Sequence, residues 1–531
     1  MSAVTEQQPA PATSWTARLT AALPLPPMLA RLAAKLPGPH APRLAPGTPT
    51  PRIAIIGSGF GGLGMAVRLR QAGIETFTIH EKADGLGGTW RDNRYPGAAC
   101  DVPSHLYSLS FAPKADWTRK FPEQPEILAY LESVADDFGL RPHLAFGSEV
   151  TAATFDEAEG CWHLEFADGS TDDVDVVVSA TGQLNRPMVP DLPGLEDFAG
   201  TSFHSARWDH DHDLAGRDVA VVGIGASAIQ FVPEIAKVAR SVTLFQRSVN
   251  YVGPKPDGEF SERAKAIFRR VPAVRLLYRA SIWLRFDARW SLFTEGSRTA
   301  PLAQKAFQKG LDELVTEGLP AEVVLPDYPL GCKRILISND WYPTIMRPDV
   351  EVVTTPIEAV TATGIRSDGV DHDVDTIIFG TGFQTTGFLA PMQVIGRDGR
   401  DLHDGWANGA EAHLGITVSG FPNLFLLYGP NTNLGHNSIV FMLERQISYA
   451  LSCIRTLVDE GLAWRDVTPE AQAGSNRRLL AELDRTVWAA GCHSWYKTAS
   501  GRITNNWSGP SARYWLRTAR PRAADFSGPS A

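Results

Sequence analysis

The chain has 531 residues, 44% hydrophobic and 21% charged, with a formal net charge of −9. That is the profile of a soluble globular protein with room for two or three domains, and no global basic field invites nucleic acid or an anionic membrane. No apolar run approaches the roughly 20 residues of a membrane-spanning helix. The five cysteines, Cys100, Cys161, Cys332, Cys453 and Cys492, are scattered with no CxxC pair and no metal-ligand spacing. We therefore expect no disulfide framework, no metal site and a reducing, cytoplasmic setting.

Residues 1–50 differ in kind, with ten prolines, one acid (Glu6) and four bases (Arg18, Arg31, Lys35, Arg43). They read as a Pro/Ala-rich extension with too little apolar content to pack; residues 28–36 have the pattern of one short amphipathic helix. From Arg52 the text changes to RIAIIGSGFGGLGMAVRLRQAGIETFTIHEK. A strand at 53–56 runs into Gly57-x-Gly59-x-x-Gly62, a helix follows to Gln71, and a second strand at 76–80 ends at Glu81. In such a unit the first glycine allows the tight turn, the second admits a pyrophosphate, and the third lets helix and sheet pack closely. The helix N-terminus offers free N–H groups to phosphate. An acid at position 81 suits a ribose without a 2′-phosphate, hence FAD or NAD.

After a strand at 174–179 and the segment FAGTSFHSARWD (198–209), the design repeats as RDVAVVGIGASAIQFVPEIAKVARSVTLFQRS. Gly223-x-Gly225-x-x-Ala228 includes Ser227 and opens the second helix. Arg247 stands in the register of Glu81, 24 residues after the first glycine in each unit. A guanidinium there gives a 2′-phosphate a bidentate partner, with Ser248 and Lys333 as further contacts, so this site should take NADPH. Residues 253–330 look helical and irregular, an insertion into the second unit. Strand pattern returns at 350–353 and 374–379, the latter ending in Gly380-Thr381-Gly382 as the earlier one ends in Ala180-Thr181-Gly182. YGPNTNLGHNSIVFMLERQ (428–446) reads as a loop opening a helix, whose N-terminal dipole suits reduced flavin. The fold class is α/β, with two Rossmann-like dinucleotide-binding domains for FAD and NADP, the second with a helical insertion. Both domains are expected to be discontinuous. After the extension at 1–50, the FAD-binding domain takes 51–185 and 383–531, and the NADP-binding domain takes 186–252 and 331–382, interrupted by the insertion at 253–330.

Reduced flavin can pass electrons to a disulfide, a protein partner or O2. The disulfide route needs a cysteine pair after the first loop, and Cys100 has no partner within three residues. Oxygenating a ketone needs a peroxide anion, whereas amines and sulfides react with the neutral hydroperoxide. An anion calls for a fixed cation, and arginine does not deprotonate.

The spacing Phe198-x-Gly200-x3-His204-x3-Trp208-Asp209 resembles the fingerprint of type I Baeyer–Villiger monooxygenases, and the resemblance extends from about Arg52 to about Trp515. It implies a class B flavin monooxygenase that inserts one oxygen atom of O2 beside a ketone carbonyl, giving an ester or lactone through a C4a-peroxyflavin and a Criegee adduct. It places Gly87, Gly88, Thr89, Trp90, Tyr107 and the backbone near Ile439 against FAD. Lys333 and Trp495 would meet NADPH. Arg334 would stabilise the anionic intermediates, and Asp101 would orient Arg334. His204 would organise the linker between cofactor states. Implied partners are O2 and a small ketone, aldehyde or sulfide. A flavin-containing N- or S-oxygenase, which shares both loops, is the close alternative; a flavin reductase feeding a protein partner, or a degenerate flavoprotein that only binds, are alternatives of another class.

Overall fold

The computed structural model describes residues 43–529 apart from 490 and 493, so the amphipathic stretch at 28–36 lies outside the described residues. Ten strands build two parallel sheets. In chain order they are β1 (Ile53–Ile56), β2 (Phe77–Glu81), β3 (Leu144–Phe146), β4 (Val176–Ser179), β5 (Thr201–His204), β6 (Asp218–Val222), β7 (Ser241–Phe245), β8 (Val350–Val353), β9 (Thr376–Phe379) and β10 (Leu424–Leu426). The first sheet has the order β10-β4-β1-β2-β3 and the second β8-β7-β6-β9-β5, every neighbouring pair parallel. Their central strands, such as IAII and VVVS, are apolar on both faces and buried throughout, as strands covered from both sides must be. The chain leaves the first sheet after β4, builds the whole second sheet, and then returns to lay β10 beside β4.

Each sheet carries a helix directly after its first glycine loop. In the first this is α1 (Phe60–Ala72), almost wholly buried and ended by Gly73 at φ +83°; in the second it is α2 (Ala228–Ile235). The two loops are shaped by the same close approach. Gly57, at φ +105°, would place a Cβ 2.6 Å from the carbonyl oxygen of Ala180, and Gly223, at φ +96°, would place one 2.9 Å from that of Gly380. The small-residue strand ends at 180–182 and 380–382 thus lie beneath the two nucleotide loops.

FxGxxxHxxxWD does not form a free linker. Residues 201–204 are the edge strand β5 of the second sheet, paired with β9 so that His204 lies opposite Phe379. A Cβ on Gly200 would come within 2.5 Å of the Asp375 carbonyl oxygen and of the Phe198 ring, and Trp208 packs its ring 5.3 Å from that of Phe231 on α2. Three of the five fingerprint residues therefore fix how the edge strand docks on its own sheet.

The insertion contributes α3 (Glu262–Arg270), α4 (Pro272–Ala288) and α5 (Thr299–Thr316). Helices α6 (Ile439–Glu460) and α7 (Ser511–Arg517) follow in the C-terminal region. Two buried polar ties hold α4 against these. Arg279 donates to the carbonyls of His105 and Ser108 at 2.7 and 2.8 Å and lies 3.5 Å from Glu444 of α6. One residue from its end, Asp287 accepts from Ser511 N at 2.7 Å, Ser511 Oγ at 2.6 Å, Ala512 N at 3.2 Å and Asn437 Nδ2 at 3.2 Å. Burial alone would raise its pKa; the His436 side chain and the donors of Ser511 and Ala512 outweigh that and hold it at about 2.

The cysteine expectation needs correction. Cys332 and Cys492, 160 positions apart, form a disulfide, while Cys100, Cys161 and Cys453 are free and buried. The pairing arises from tertiary approach of two loops, which no local spacing announces. No helix among the described residues is long and apolar enough to cross a membrane.

Replacing Asp287 by alanine would leave at least three buried donors without an acceptor. It is expected to cost about 2–4 kcal/mol, read as a lower thermal unfolding midpoint, with Asp287→Asn losing less because one carbonyl oxygen remains.

Candidate active site

A cavity of about 400 Å³ opens above the C-terminal ends of the first sheet, where parallel α/β sheets bind ligands. Gly57, Gly59, Glu81, Gly87, Gly88, Thr89, Trp90, Tyr107 and Ile439 all line it. Gly62 does not: it lies below, where a Cβ would come within 1.9 Å of the Gly57 carbonyl oxygen, so it sets the spacing of helix and loop. A Cβ on Gly59 would meet only the Gly88 Cα, at 3.8 Å, leaving bare backbone facing the cavity. Glu81 shapes the same end. One oxygen accepts from Ser58 N at 3.0 Å and Ser58 Oγ at 2.7 Å, the other from Ala83 N at 3.1 Å. This fixed carboxylate keeps acceptor capacity for a ribose hydroxyl. Trp90 donates through Nε1 to Tyr107 Oη at 3.1 Å, which turns both rings into one wall. Segments that sequence reasoning missed complete the cavity, among them Asn185, Gln384, Thr385 and Phe388. They lie just beyond the two crossing strands, in loops with no recognisable pattern.

On the second unit, Arg247 is exposed immediately after β7. Lys333 reaches the adjacent Ser248 Oγ at 3.0 Å and lies over the Tyr328 ring at 4.5 Å. Burial lowers the Lys333 pKa, and the positive charge of Arg247 pushes the same way. Two cations and a hydroxyl thus share one corner, a donor set suited to a dianionic phosphate. Gly225 runs close to the crossing strand, its Cβ position a tight 3.3 Å from the Gly380 carbonyl oxygen, and Ala228 is buried against Gly380. Ser227 caps α2 by position without a side-chain capping bond. The units are gripped together here: Gln230 of α2 accepts from Tyr95 Oη at 3.1 Å and Ala99 N at 3.2 Å, and donates to the Ala99 carbonyl at 3.0 Å.

Arg334 and Asp101 meet between the units. Nη2 of Arg334 lies 3.3 Å from Oδ2 of Asp101. Burial would loosen the arginine's proton, but Asp101 outweighs it, aided by Tyr496 and Tyr428, and the pKa stands above the ordinary arginine value. Although the site is deep, 40% of the Arg334 side-chain surface is open to the cleft. Asp101 Oδ1 is buried with no donor among the described residues, an acceptor suited to a ligand's N–H or O–H. Tyr107 and Tyr428, which line the cavity, and Tyr496 all feel the Arg334 charge. Burial raises all three phenols, Tyr496 to about 12, so they stay neutral. Arg334 and Asp101 do not themselves line the cavity; Arg334 is a permanent cation near enough to these phenols to act on each of them. Tyr428 and Tyr496 were not anticipated as its neighbours; the backbone signal for Tyr428 is its φ of +64°, which sequence does not display.

The loop bearing Arg334 is fastened to the C-terminal segment. Trp488 Nε1 donates to the Gly331 carbonyl at 3.1 Å, and Cys332 is bonded to Cys492. Trp495 lies three residues on, its ring 4.4 Å from that of Tyr496 and its carbonyl accepting from Thr385 Oγ1 and Asn505 Nδ2. His204 is 4% exposed. Its Nδ1 accepts from Ala206 N at 3.1 Å, and its Nε2 is buried with no hydrogen-bond partner among the described residues. Burial lowers its pKa. Asp209 accepts from Asp211 N. None of the five fingerprint residues lines the cavity.

A family model described as pyridine nucleotide-disulphide oxidoreductase matches residues 51–283, the stretch with both glycine loops. A Baeyer–Villiger monooxygenase of Streptomyces coelicolor is 46% identical over 478 residues, covering 90% of this chain and 92% of that protein. Among solved structures, an oxidized steroid monooxygenase bound to NADP superposes with a TM-score of 0.81 at 31% identity, over 91% of this chain and 100% of that one. OTEMO in complex with FAD and NADP gives 0.82 at 28% identity, over 90% and 100%. With identity at this level across nine-tenths of both sequences, the chain belongs to the Baeyer–Villiger monooxygenase family.

Proposed function

We propose that the protein is an FAD- and NADPH-dependent Baeyer–Villiger monooxygenase in which Arg334, held by Asp101, provides the positive charge that the oxygen-insertion step requires. The observation that carries this reading is the ion pair between the units, with Arg334 open to the cleft and three neutral phenols around it. Bound FAD supplies oxygen activation, and NADPH supplies the hydride that reduces it.

The residues divide the work as follows. The loop at 57–62, with Gly87–Trp90 and Glu81, would hold FAD; the cradle of bare glycine backbone beside the cavity fits a pyrophosphate. Gly223, Gly225, Ser227 and Ala228 would hold the second pyrophosphate. Arg247, Ser248 and Lys333 would receive the 2′-phosphate, and Trp495 would border the nicotinamide nucleotide. When a ketone carbonyl is attacked by an oxygen anion, negative charge leaves the attacking oxygen and grows on the carbonyl oxygen. A guanidinium that keeps its proton stabilises that charge without transferring a proton to it. The orphaned Asp101 Oδ1 can accept from a bound nucleotide, tying nucleotide occupancy to the orientation of Arg334. A nitrogen or sulfur substrate attacks a neutral hydroperoxide and gains nothing from such a cation, so the reading favours ketones and aldehydes. His204 and Trp208 act through strand β5 as positioning residues. In this reading residues 51–185 and 383–531 serve FAD, and residues 186–252 and 331–382 serve NADPH.

Arg334→Ala should retain NADPH-driven flavin reduction and lose ester formation by at least about 10²-fold, checked by stopped-flow absorbance and product chromatography over linear, cyclic and aryl ketones. Retained ester formation would refute the assignment. Arg247→Ala should raise KM for NADPH roughly tenfold or more while leaving KM for NADH nearly unchanged, because only the former brings a phosphate to that corner; equal changes for both would remove Arg247 from phosphate recognition. His204→Ala should keep FAD bound but consume more NADPH per ester formed, with the difference recovered as hydrogen peroxide. Unaltered coupling would leave His204 a purely structural histidine.

A further inference from the structure

The solvent face of the insertion is apolar where a surface helix should be polar. Six of the fourteen large apolar side chains exposed among the described residues fall between 267 and 284: Ile267, Val271, Val274, Leu276, Leu277 and Leu284. On α4 they follow helical geometry. Val274, Leu277 and Leu284, at intervals of three and seven, share one stripe with Ala288, opposite the buried Ile282 and the inward-turned Arg279. Leu277 and Leu284 are 69% and 63% exposed; isolated leucines elsewhere reach similar values, and what sets these apart is their grouping on one helix face.

The charge around this stripe is unlike that of the whole chain. Residues 262–289 hold eight bases and two acids, a net of +6 in a protein of net −9. Of the two acids, Asp287 is buried and Glu262 is paired with Lys265. Arg263, Arg270 and Arg285 are exposed and make no ion pair among the described residues. Exposed leucines bordered by unpaired arginines are the make-up of a helix that lies in the plane of an anionic interface.

Charge also selects among possible occupants. A second copy docked face to face would set the exposed Arg263, Arg270 and Arg285 against charges of the same sign. The N-terminal extension brings four bases and one acid, again the same sign. From these features we infer that α3 and α4 form a peripheral docking surface for a membrane containing anionic lipid, with the leucine stripe entering the headgroup boundary and the arginines meeting lipid phosphates. The surface is the outer side of the helix whose inner side is tied through Arg279 and Asp287 to the loop and helix beside the flavin cavity. An apolar ketone dissolved in lipid would then reach the enzyme without crossing bulk water.

The test is flotation of the full-length FAD-loaded protein with vesicles of phosphatidylcholine alone or with added phosphatidylglycerol. Binding is expected only with phosphatidylglycerol, to weaken as salt is raised, and to fall at least tenfold for Leu277→Ser/Leu284→Ser and for Arg263→Glu/Arg270→Glu. NADPH consumption by these variants in buffer should equal that of the parent, showing that the fold is intact. Absence of vesicle binding overturns the inference and hands the face to an acidic protein. Binding unaffected by either variant overturns it too, as does binding that disappears only when residues 1–42 are removed. If the parent is a dimer in solution and the leucine variant a monomer, the face belongs to a second copy and the inference fails. None of these readouts depends on which ketone is oxidised.

Discussion

A guanidinium is held in one orientation by a carboxylate that meets it at hydrogen-bond distance, and here the two partners stand 233 positions apart. Arg334 arrives on the loop after the helical insertion, Asp101 on the loop after the first glycine fingerprint. Much of the surrounding structure bears on keeping that meeting in place. Gln230 grips the backbone just before Asp101, Trp488 and the disulfide hold the backbone just before Arg334, and Tyr428 and Tyr496 fill the space around the pair. The cation is therefore positioned by contacts from both nucleotide-binding units, and displacing either unit would move it.

What sequence revealed follows from where chemistry constrains spacing. A pyrophosphate admits few backbone shapes, so both glycine loops and the 24-residue register of Glu81 and Arg247 could be read directly. Their strands form within a residue or two of the expected positions: β1 at 53–56 and β8 at 350–353 match, and β2 forms at 77–81 in place of 76–80. The Arg334–Asp101 pair was not legible from spacing; it came from resemblance, because nothing local ties positions 101 and 334. The same distance hid Tyr496, Gln230 and the Cys332–Cys492 bond. FAGTSFHSARWD is instructive in another way. Its spacing pointed to the family and its position to a linker, and the structure adds that the segment includes an edge strand: Gly200 permits a close backbone approach, His204 bonds to the next turn, and Trp208 packs on α2.

The insertion shows a second limit. Its sequence looked helical and irregular because its two faces answer to different surroundings. The inner face is polar where Arg279 and Asp287 must reach donors and acceptors on the flavin half. The outer face mixes exposed leucines with exposed arginines, while the inner side buries Phe268 and Ile282 beside those polar ties. With apolar and charged residues on both sides, amphipathicity alone does not assign the faces.

The paired glycine loops have one more consequence. Gly57 is pressed against Ala180 and Gly223 against Gly380 by the crossing strands themselves, so the main-chain cradles exist because of the fold and not because of the nucleotide. A ligand arriving at such a cradle spends little of its binding free energy on ordering the chain. A ligand that exchanges at either cradle can then do so many times without the loop having to refold between visits.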